Sequence, residues 1–549
     1  MDQDTEFDVV VVGSGAAGMT AALCAAHRGL RAVVLEKAPR FGGSTARSGG
    51  GLWIPNNAVL RAADPSDTPE RATAYLRHIV GDDVPEDLLR TYLDRGPEML
   101  AFVREHTPLR FQWVRGYSDY YPEAPGGRPL GRSIEPKPFD ADVLGAERAN
   151  LNAPYLPSPA GIVVTAADYR WLTLAARHPR GVLTAARVFT RRFRRGTLLT
   201  LGQALAAGLR AGLLTADVPV RLNTPLVDLH SEDGRVTGVR VGGGELVRAR
   251  HGVLLAAGGF EHNERMRKEH QREPIGTEWT SGAVENTGDG IEAGVRAGGA
   301  VGLMDDAWWG PSVPLPRGPY FCLSERTLPG CLLVNGAGRR FVNEAAPYVD
   351  AVNAMYEGNM PTWLVADQRY RDRYPFAGRT PRQPFPGHWY EAGVVHRADT
   401  VRELARLIDV PADALAETVL RFNEMADTGR DEDFHRGDSA YDRYYGDPRN
   451  RPNPCLAPLR RPPFHAVRIV PGDLGTKGGL RTDTRARVLR EDGTAIPGLY
   501  AAGNTSASVM GHTYAGPGAT LGPAMTFGYL AALDIAAAAT TDDHRGGTR

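Results

Sequence analysis

The sequence predicts an α/β fold built on a buried parallel sheet, and three observations predict it. Residues 7–12, FDVVVV, form a nearly continuous β-branched run of the kind found in a strand covered on both faces. That run enters Gly13, Gly15 and Gly18 in G-x-G-x-x-G spacing, and an alanine-rich helical stretch follows. Two further runs, GVLLAAGG at 252–259 and PGLYAAG at 497–503, also lead into glycine. The sheet is therefore expected to draw its strands from the beginning, the middle and the end of the chain.

Each element of the first sixty residues has a mechanical reason. Gly13 allows the tight turn, Gly15 lets backbone approach a pyrophosphate, and Gly18 permits close helix–strand packing. Ser14, Ala16 and Ala17 complete the turn, and the free N–H groups at the helix start face the diphosphate. Glu36, followed by Lys37, ends the second strand about 20 residues on, where a carboxylate accepts from a ribose. A second small-residue loop follows, with Gly42, Gly43, Ser44, Thr45, Ser48, Gly49 and Gly50. A loop of this kind suits a ligand that continues beyond the pyrophosphate, and here the sequence resembles the FAD flavoproteins. The loop holds no histidine, so the FAD is expected to be non-covalent.

Length and composition bound the remainder. A chain of 549 residues exceeds one ordinary domain. Its 64 basic residues balance 64 acidic ones, which argues against a nucleic-acid footprint or a polyacidic tail. Four cysteines (Cys24, Cys322, Cys331, Cys455) lack CxxC spacing, so no metal site, redox dithiol or disulfide framework is expected. The acidic N-terminus runs straight into the first strand and no uninterrupted apolar run reaches the roughly 18 residues of a membrane span. A cytoplasmic protein without integral membrane segment or nucleic-acid partner is expected, with peripheral membrane contact open.

Further along, PVRLNTPLVDLHSEDGRVTGVRV reads as strand, turn at Glu232-Asp233-Gly234, and strand. As in the later pieces of an FAD domain, backbone around Leu226 is expected to meet the adenine, with Ala257 and Gly258 closing the next strand. Asp289 opens a helix after a glycine turn, and Gly503 and Asn504 follow the last strand. Between residues 300 and 471 tryptophan, proline and tyrosine become frequent and helical patterns appear. The expected organisation is a Rossmann-like FAD-binding domain from 1–299 and 472–549, with an inserted α+β catalytic domain at 300–471.

The chain as a whole resembles the fumarate reductase/succinate dehydrogenase flavoprotein superfamily. Within it, GYSDYYPEAPGGRPLGR, PYFCLSERTLPGCLLVN, DLGTKGGL and GLYAAGNTSASVMGHTYAGPGATLGPAMTFGYLAA resemble the 3-ketosteroid Δ1-dehydrogenases. The His-Pro-Thr segment and arginine acid of fumarate reductases are missing; His178-Pro179 is followed by Arg180. An uncharged ketone therefore suits the site better than a dicarboxylate.

The resemblance implies desaturation next to a ketone: a base takes the acidic α-hydrogen while the neighbouring hydrogen leaves as hydride to flavin N5. It maps a clamp for the ketone oxygen onto the Tyr514 hydroxyl and the Gly518 N–H, with Thr520 and Leu521 on the cofactor side. It maps the base onto Tyr320, supported by a second tyrosine from SDYY. Tyr120 and Tyr121 are both candidates, and Tyr121 is favoured; Tyr117 and Cys322 are read as packing. The helix after Pro523 is expected to aim its positive end at the flavin. With a single G-x-G-x-x-G, electrons are expected to pass to an external, quinone-like acceptor or oxygen. Three rivals remain: a 3-ketosteroid Δ4-(5α)-dehydrogenase, a fumarate- or urocanate-type reductase, and a flavin-binding carrier without turnover.

Overall fold

In the computed structural model the first strand, β1 (Glu6–Val12), passes through the glycine turn into α1 (Ala16–His27) and returns as β2 (Ala32–Leu35). β1 and β2 are parallel, with Val9 opposite Ala32 and Val12 opposite Leu35. On its other side β1 pairs in parallel with β3 (Leu246–Leu255), and β3 in turn with Ala495–Ala501. The eight-stranded sheet runs Arg487–Leu489, Ala495–Ala501, β3, β1, β2, Val220–Arg221, with the hairpin Leu226–Glu232/Arg235–Val241 attached to β3. Asp233 (φ 50°) and Gly234 (φ 76°) form the two-residue turn of that hairpin, the left-handed pair that matches the strand twist. The described residues are 5–155, 163–191, 193 and 196–546, the last six by backbone alone. The terminal residues 1–4 and 547–549 of the expected FAD-binding domain, and 156–162, 192, 194 and 195 within it, lie outside them.

Every residue of β2 and Ala16 to Ala25 of α1 are buried. Burying one Val or Leu removes apolar surface worth about 1.5–3 kcal/mol, before chain entropy is counted. The alanines have a second reason: they let a neighbouring helix come close.

A second, six-stranded sheet is centred on β4 (Ala307–Val313) and β5 (Phe464–Thr476), in the order Tyr320–Phe321, β4, β5, Thr362–Asp367, Cys331–Val334, with Val395–Ala398 also on β5. β5 continues to Thr476, past the expected boundary at 471. Helices Val401–Leu407 and Ala412–Thr428 share a core with this sheet, through residues such as Leu332, Val365, Leu415 and Phe422. A small sheet is formed by Leu52–Trp53, Ser133–Pro136 and Phe111–Trp113.

The last helix, α2 (Leu521–Gly546), starts at Leu521 instead of after Pro523. Proline fits in its first turn, where the N–H has no helical partner to lose. α2 packs on α1 at close range: a Cβ on Gly528 would lie 2.4 Å from the Ala17 carbonyl oxygen. Its stretch Leu521–Thr540 (mean hydropathy 1.3) is the one described helix long and apolar enough to cross a membrane, and 61% of that stretch is buried inside the protein. Most of its apolar surface thus already has a protein partner.

Candidate active site

A cavity of about 910 Å³ runs from the glycine turn of β1 to a group of tyrosines beside the second sheet. Of the residues expected to hold FAD, all but Gly18 and Gly42 line it, including Leu226, Asp289, Gly503, Asn504, Thr520 and Leu521. Gly18 works from behind, since a Cβ there would stand 2.1 Å from the Gly13 carbonyl oxygen. Gly42 donates its N–H to Ser14 Oγ (3.0 Å).

The cradle is preorganised by its own hydrogen bonds. The Ser14 N–H and Oγ both donate to Glu36 Oε2, and the Ala38 N–H donates to Oε1 (2.9 Å). Thr45 Oγ1 accepts from the Ala16 N–H (2.9 Å), tying the second loop to the helix start. Lys37 Nζ reaches Asp289 Oδ2 (2.8 Å) and Thr287 Oγ1 (2.6 Å), joining the first β-α-β unit to the helix Asp289–Arg296.

These residues fit FAD. A Cβ on Gly15 would meet nothing but Thr45 Oγ1, 3.6 Å away, so the room it would take is cavity, as close passage of a pyrophosphate requires. The N-terminal turn of α2 also borders the cavity through Leu521 and Ala524, presenting the positive end of the helix; the Gly522 and Ala524 N–H groups donate to the Gly518 and Thr520 carbonyl oxygens. Gly518 (φ 95°) must be glycine: a Cβ would fall 2.4 Å from the Gly51 backbone.

The tyrosine-lined stretch is assembled from distant segments. Tyr514 is buried, with its hydroxyl 3.2 Å from Thr520 Oγ1 and facing the Gly518 N–H. Burial raises its pKa, so it is a neutral donor at neutral pH. Trp308 (4.7 Å), Tyr120 (5.1 Å) and Tyr348 (5.5 Å) pack their rings around it. Tyr320 lies on the strand paired with the end of β4 and donates its hydroxyl to Glu325 Oε1 at 2.6 Å. Burial, then the adjacent carboxylate, pushes the Tyr320 phenol well above its ordinary value.

Tyr120 and Tyr121 separate here. The Tyr120 side chain lines the cavity and donates to the Tyr348 hydroxyl (2.5 Å). Tyr121, the favoured candidate, lies outside it, donating to Asp350 Oδ1 (2.9 Å) and lining a neighbouring cavity with His78 and Asp442. The two tyrosines sit in a bend, and only Tyr120 also reaches the main cavity. Tyr117 lines the cavity as well and stacks on Tyr444 (4.5 Å). Cys322 is fully buried with its pKa raised by burial.

Sequence reasoning passed over Tyr348, Tyr169 and Glu325. None sits at a telling spacing, though Glu325 follows Tyr320 by five positions in a segment already singled out. Among the described residues no three His, Cys, Asp or Glu side chains gather as a metal site would need.

The FAD binding domain family matches residues 8–521. A 3-oxosteroid 1-dehydrogenase of Mycolicibacterium smegmatis is 58% identical over 97% of this chain and 98% of its own length. The structure is similar to a 3-ketosteroid Δ1-dehydrogenase from Sterolibacterium denitrificans in complex with 1,4-androstadiene-3,17-dione (TM-score 0.91, 42% identity, 97% of this chain and 100% of that one). A 3-ketosteroid Δ4-(5α)-dehydrogenase from Rhodococcus jostii shares the fold (TM-score 0.68, 23% identity, 98% of both chains).

Proposed function

The chain belongs to the FAD binding domain family and, within it, to the 3-oxosteroid 1-dehydrogenases; from that premise we propose how its cavity desaturates a steroid. The protein is an FAD-dependent oxidoreductase that introduces the C1=C2 double bond of 3-ketosteroids. The observation that carries the mechanism is the meeting, in one apolar cavity, of a neutral phenol beside a backbone N–H and a second phenol hydrogen-bonded to a carboxylate.

Tyr514 and the Gly518 N–H receive the C3 oxygen and donate to it as negative charge develops there, which acidifies the hydrogens on C2. Tyr320 accepts the C2 proton. Tyr120 donates to Tyr348 and packs against Tyr514, which favours it over Tyr121 as the supporting tyrosine, acting from the clamp side. The aromatic walls exclude water and match a flat, uncharged substrate. Bound FAD supplies the two-electron acceptor for the hydrogen leaving C1.

Anaerobic addition of androst-4-ene-3,17-dione to the purified protein should bleach the yellow flavin band and yield the 1,4-diene by mass and ultraviolet absorbance. A flavin that stays oxidised, or a product unsaturated elsewhere, overturns the assignment. A Δ4-(5α) enzyme would instead act on the 5α-saturated ketone.

The external acceptor is proposed to be quinone-like, because no second G-x-G-x-x-G stands in the sequence to seat a nicotinamide. The proposed place of action is the cytoplasm, at a membrane surface. The four cysteines are free and buried, and helix Pro179–Arg191 with Phe193 beyond it exposes Leu183 (69%) and Phe193 (73%) beside Arg180 and Arg187. A helix of this composition suits an anionic bilayer. Co-sedimentation with phosphatidylglycerol vesicles, reduced in Leu183→Ser, tests that placement.

A further inference from the structure

Beside Tyr320 lies a carboxylate to which the mechanism above gives no step of its own. Glu325 is 3% exposed, and Oε1 accepts the Tyr320 hydroxyl at 2.6 Å. Ser324 Oγ stands 3.5 Å from Oε2, and Tyr169, a cavity-lining residue, has its hydroxyl 3.2 Å from Ser324 Oγ. Among the described residues no Arg, Lys or His lies within ion-pair distance of Glu325. The titratable groups that face it are Tyr320, Tyr155, Tyr169, Tyr370 and Cys322, all neutral at neutral pH. Arg326, next in the chain, spends its guanidinium on the carbonyl oxygens of Cys322, Glu344 and Ala346.

A buried carboxylate with no cation is costly unless it receives hydrogen bonds or a proton. We propose that Glu325 is the proton acceptor behind Tyr320, a positioning residue that keeps the base neutral throughout the reaction. The idea rests on Tyr320 as base. As the C2–H bond breaks, a new O–H bond forms at Tyr320 Oη, and the old phenolic proton moves to Glu325 Oε1. The electron pair left on C2 delocalises onto the C3 oxygen held by Tyr514 and Gly518. The phenol begins and ends the step protonated, so no phenolate forms in a buried site. Ser324 and Tyr169 lead from Glu325 back to the cavity wall, a route for the proton's return. Burial raises the carboxyl's own pKa, which makes it a stronger proton acceptor than a free carboxylate.

The test compares Glu325→Gln, Glu325→Asp and Tyr320→Phe in the FAD-loaded enzyme by washout of deuterium from C2 of the steroid and by the pH profile of turnover. Glu325→Gln should slow washout and kcat about 100-fold with KM little changed, as expected for loss of acid–base assistance. The acid limb of the profile should move to higher pH, where Tyr320 must ionise by itself; Glu325→Asp should restore part of the rate. Wild-type washout and an unchanged acid limb in Glu325→Gln, beside an inactive Tyr320→Phe, overturn the role of Glu325 alone. Normal washout in Tyr320→Phe overturns the base assignment beneath it. Should Glu325→Gln fail to hold FAD, the wild-type enzyme decides. A solvent deuterium effect that multiplies the effect of C2 deuteration supports the coupled transfer, and its absence refutes it.

Discussion

Along the glycine-lined stretch of the cavity, shape comes from backbone; along the tyrosine-lined stretch it comes from side chains. The first stretch satisfies its polar groups internally and locally, Glu36 with the amides of Ser14 and Ala38, Thr45 with that of Ala16. The second gathers Tyr120, Tyr320, Tyr348 and Tyr514 from four remote segments and leaves their hydroxyls in short exchanges with one another, with Thr520 and with Glu325. A ligand that stays bound through many turnovers suits a rigid, internally braced cradle. A substrate that arrives, loses two hydrogens and leaves suits a wall of neutral groups able to give and take protons.

Substitutions can break that contrast, taken here from the largest expected effect downward. Tyr320→Phe should lower kcat by about 10²–10⁴-fold, the range for loss of a general base, with the visible spectrum of the bound flavin unchanged. Tyr514→Phe should cost about 10²–10³-fold in kcat/KM through loss of an oxyanion donor, again with FAD retained; full turnover in that variant removes Tyr514 from the clamp. Gly15→Ala acts on the other stretch. Its Cβ meets only Thr45 Oγ1, so the fold should survive, while FAD affinity measured by fluorescence titration should fall about tenfold, or 1.4 kcal/mol. A Gly15→Ala protein with wild-type affinity would mean that the pyrophosphate passes elsewhere.

Smaller effects are expected just outside the cavity. Tyr121→Phe removes one hydrogen bond to Asp350 and should cost about 0.5–1.5 kcal/mol of stability in thermal unfolding, with kcat nearly intact. Asp350 sharpens the point through pH. Burial holds its carboxyl up at about 6 against 3.8 for the free group. A carboxyl raised in the folded state stabilises most at low pH, so its contribution is full below about 4 and is lost as pH rises through about 6. Asp350→Asn should flatten that part of the stability profile.

How far each stretch could be read in the sequence follows from how it is built. Gly13, Gly15, Gly18 and Glu36 lie within one strand–turn–helix–strand unit, so fixed spacing carries their geometry. Leu226, Asp289 and Gly503 are hundreds of residues away, yet each ends or opens a strand or helix of recognisable pattern. The tyrosines have no such frame. Tyr514 stood out for its glycines and Tyr320 through family resemblance, whereas Tyr348 and Tyr169 sit on ordinary helices and become neighbours only through packing. Between Tyr120 and Tyr121 no pattern decides, because the choice depends on the path of a bend that packing fixes.

The interleaving of the main sheet bears on how the protein is made. β1 is flanked on one side by β2, translated about twenty residues later, and on the other by β3, more than two hundred residues downstream. The wall of the cradle at Gly503 and Leu521 comes later still. On the ribosome, the nascent cradle must therefore wait, without its last wall, through synthesis of the entire second sheet. Loading with flavin becomes a near-final event of biogenesis, since the site is complete only once that last wall is made.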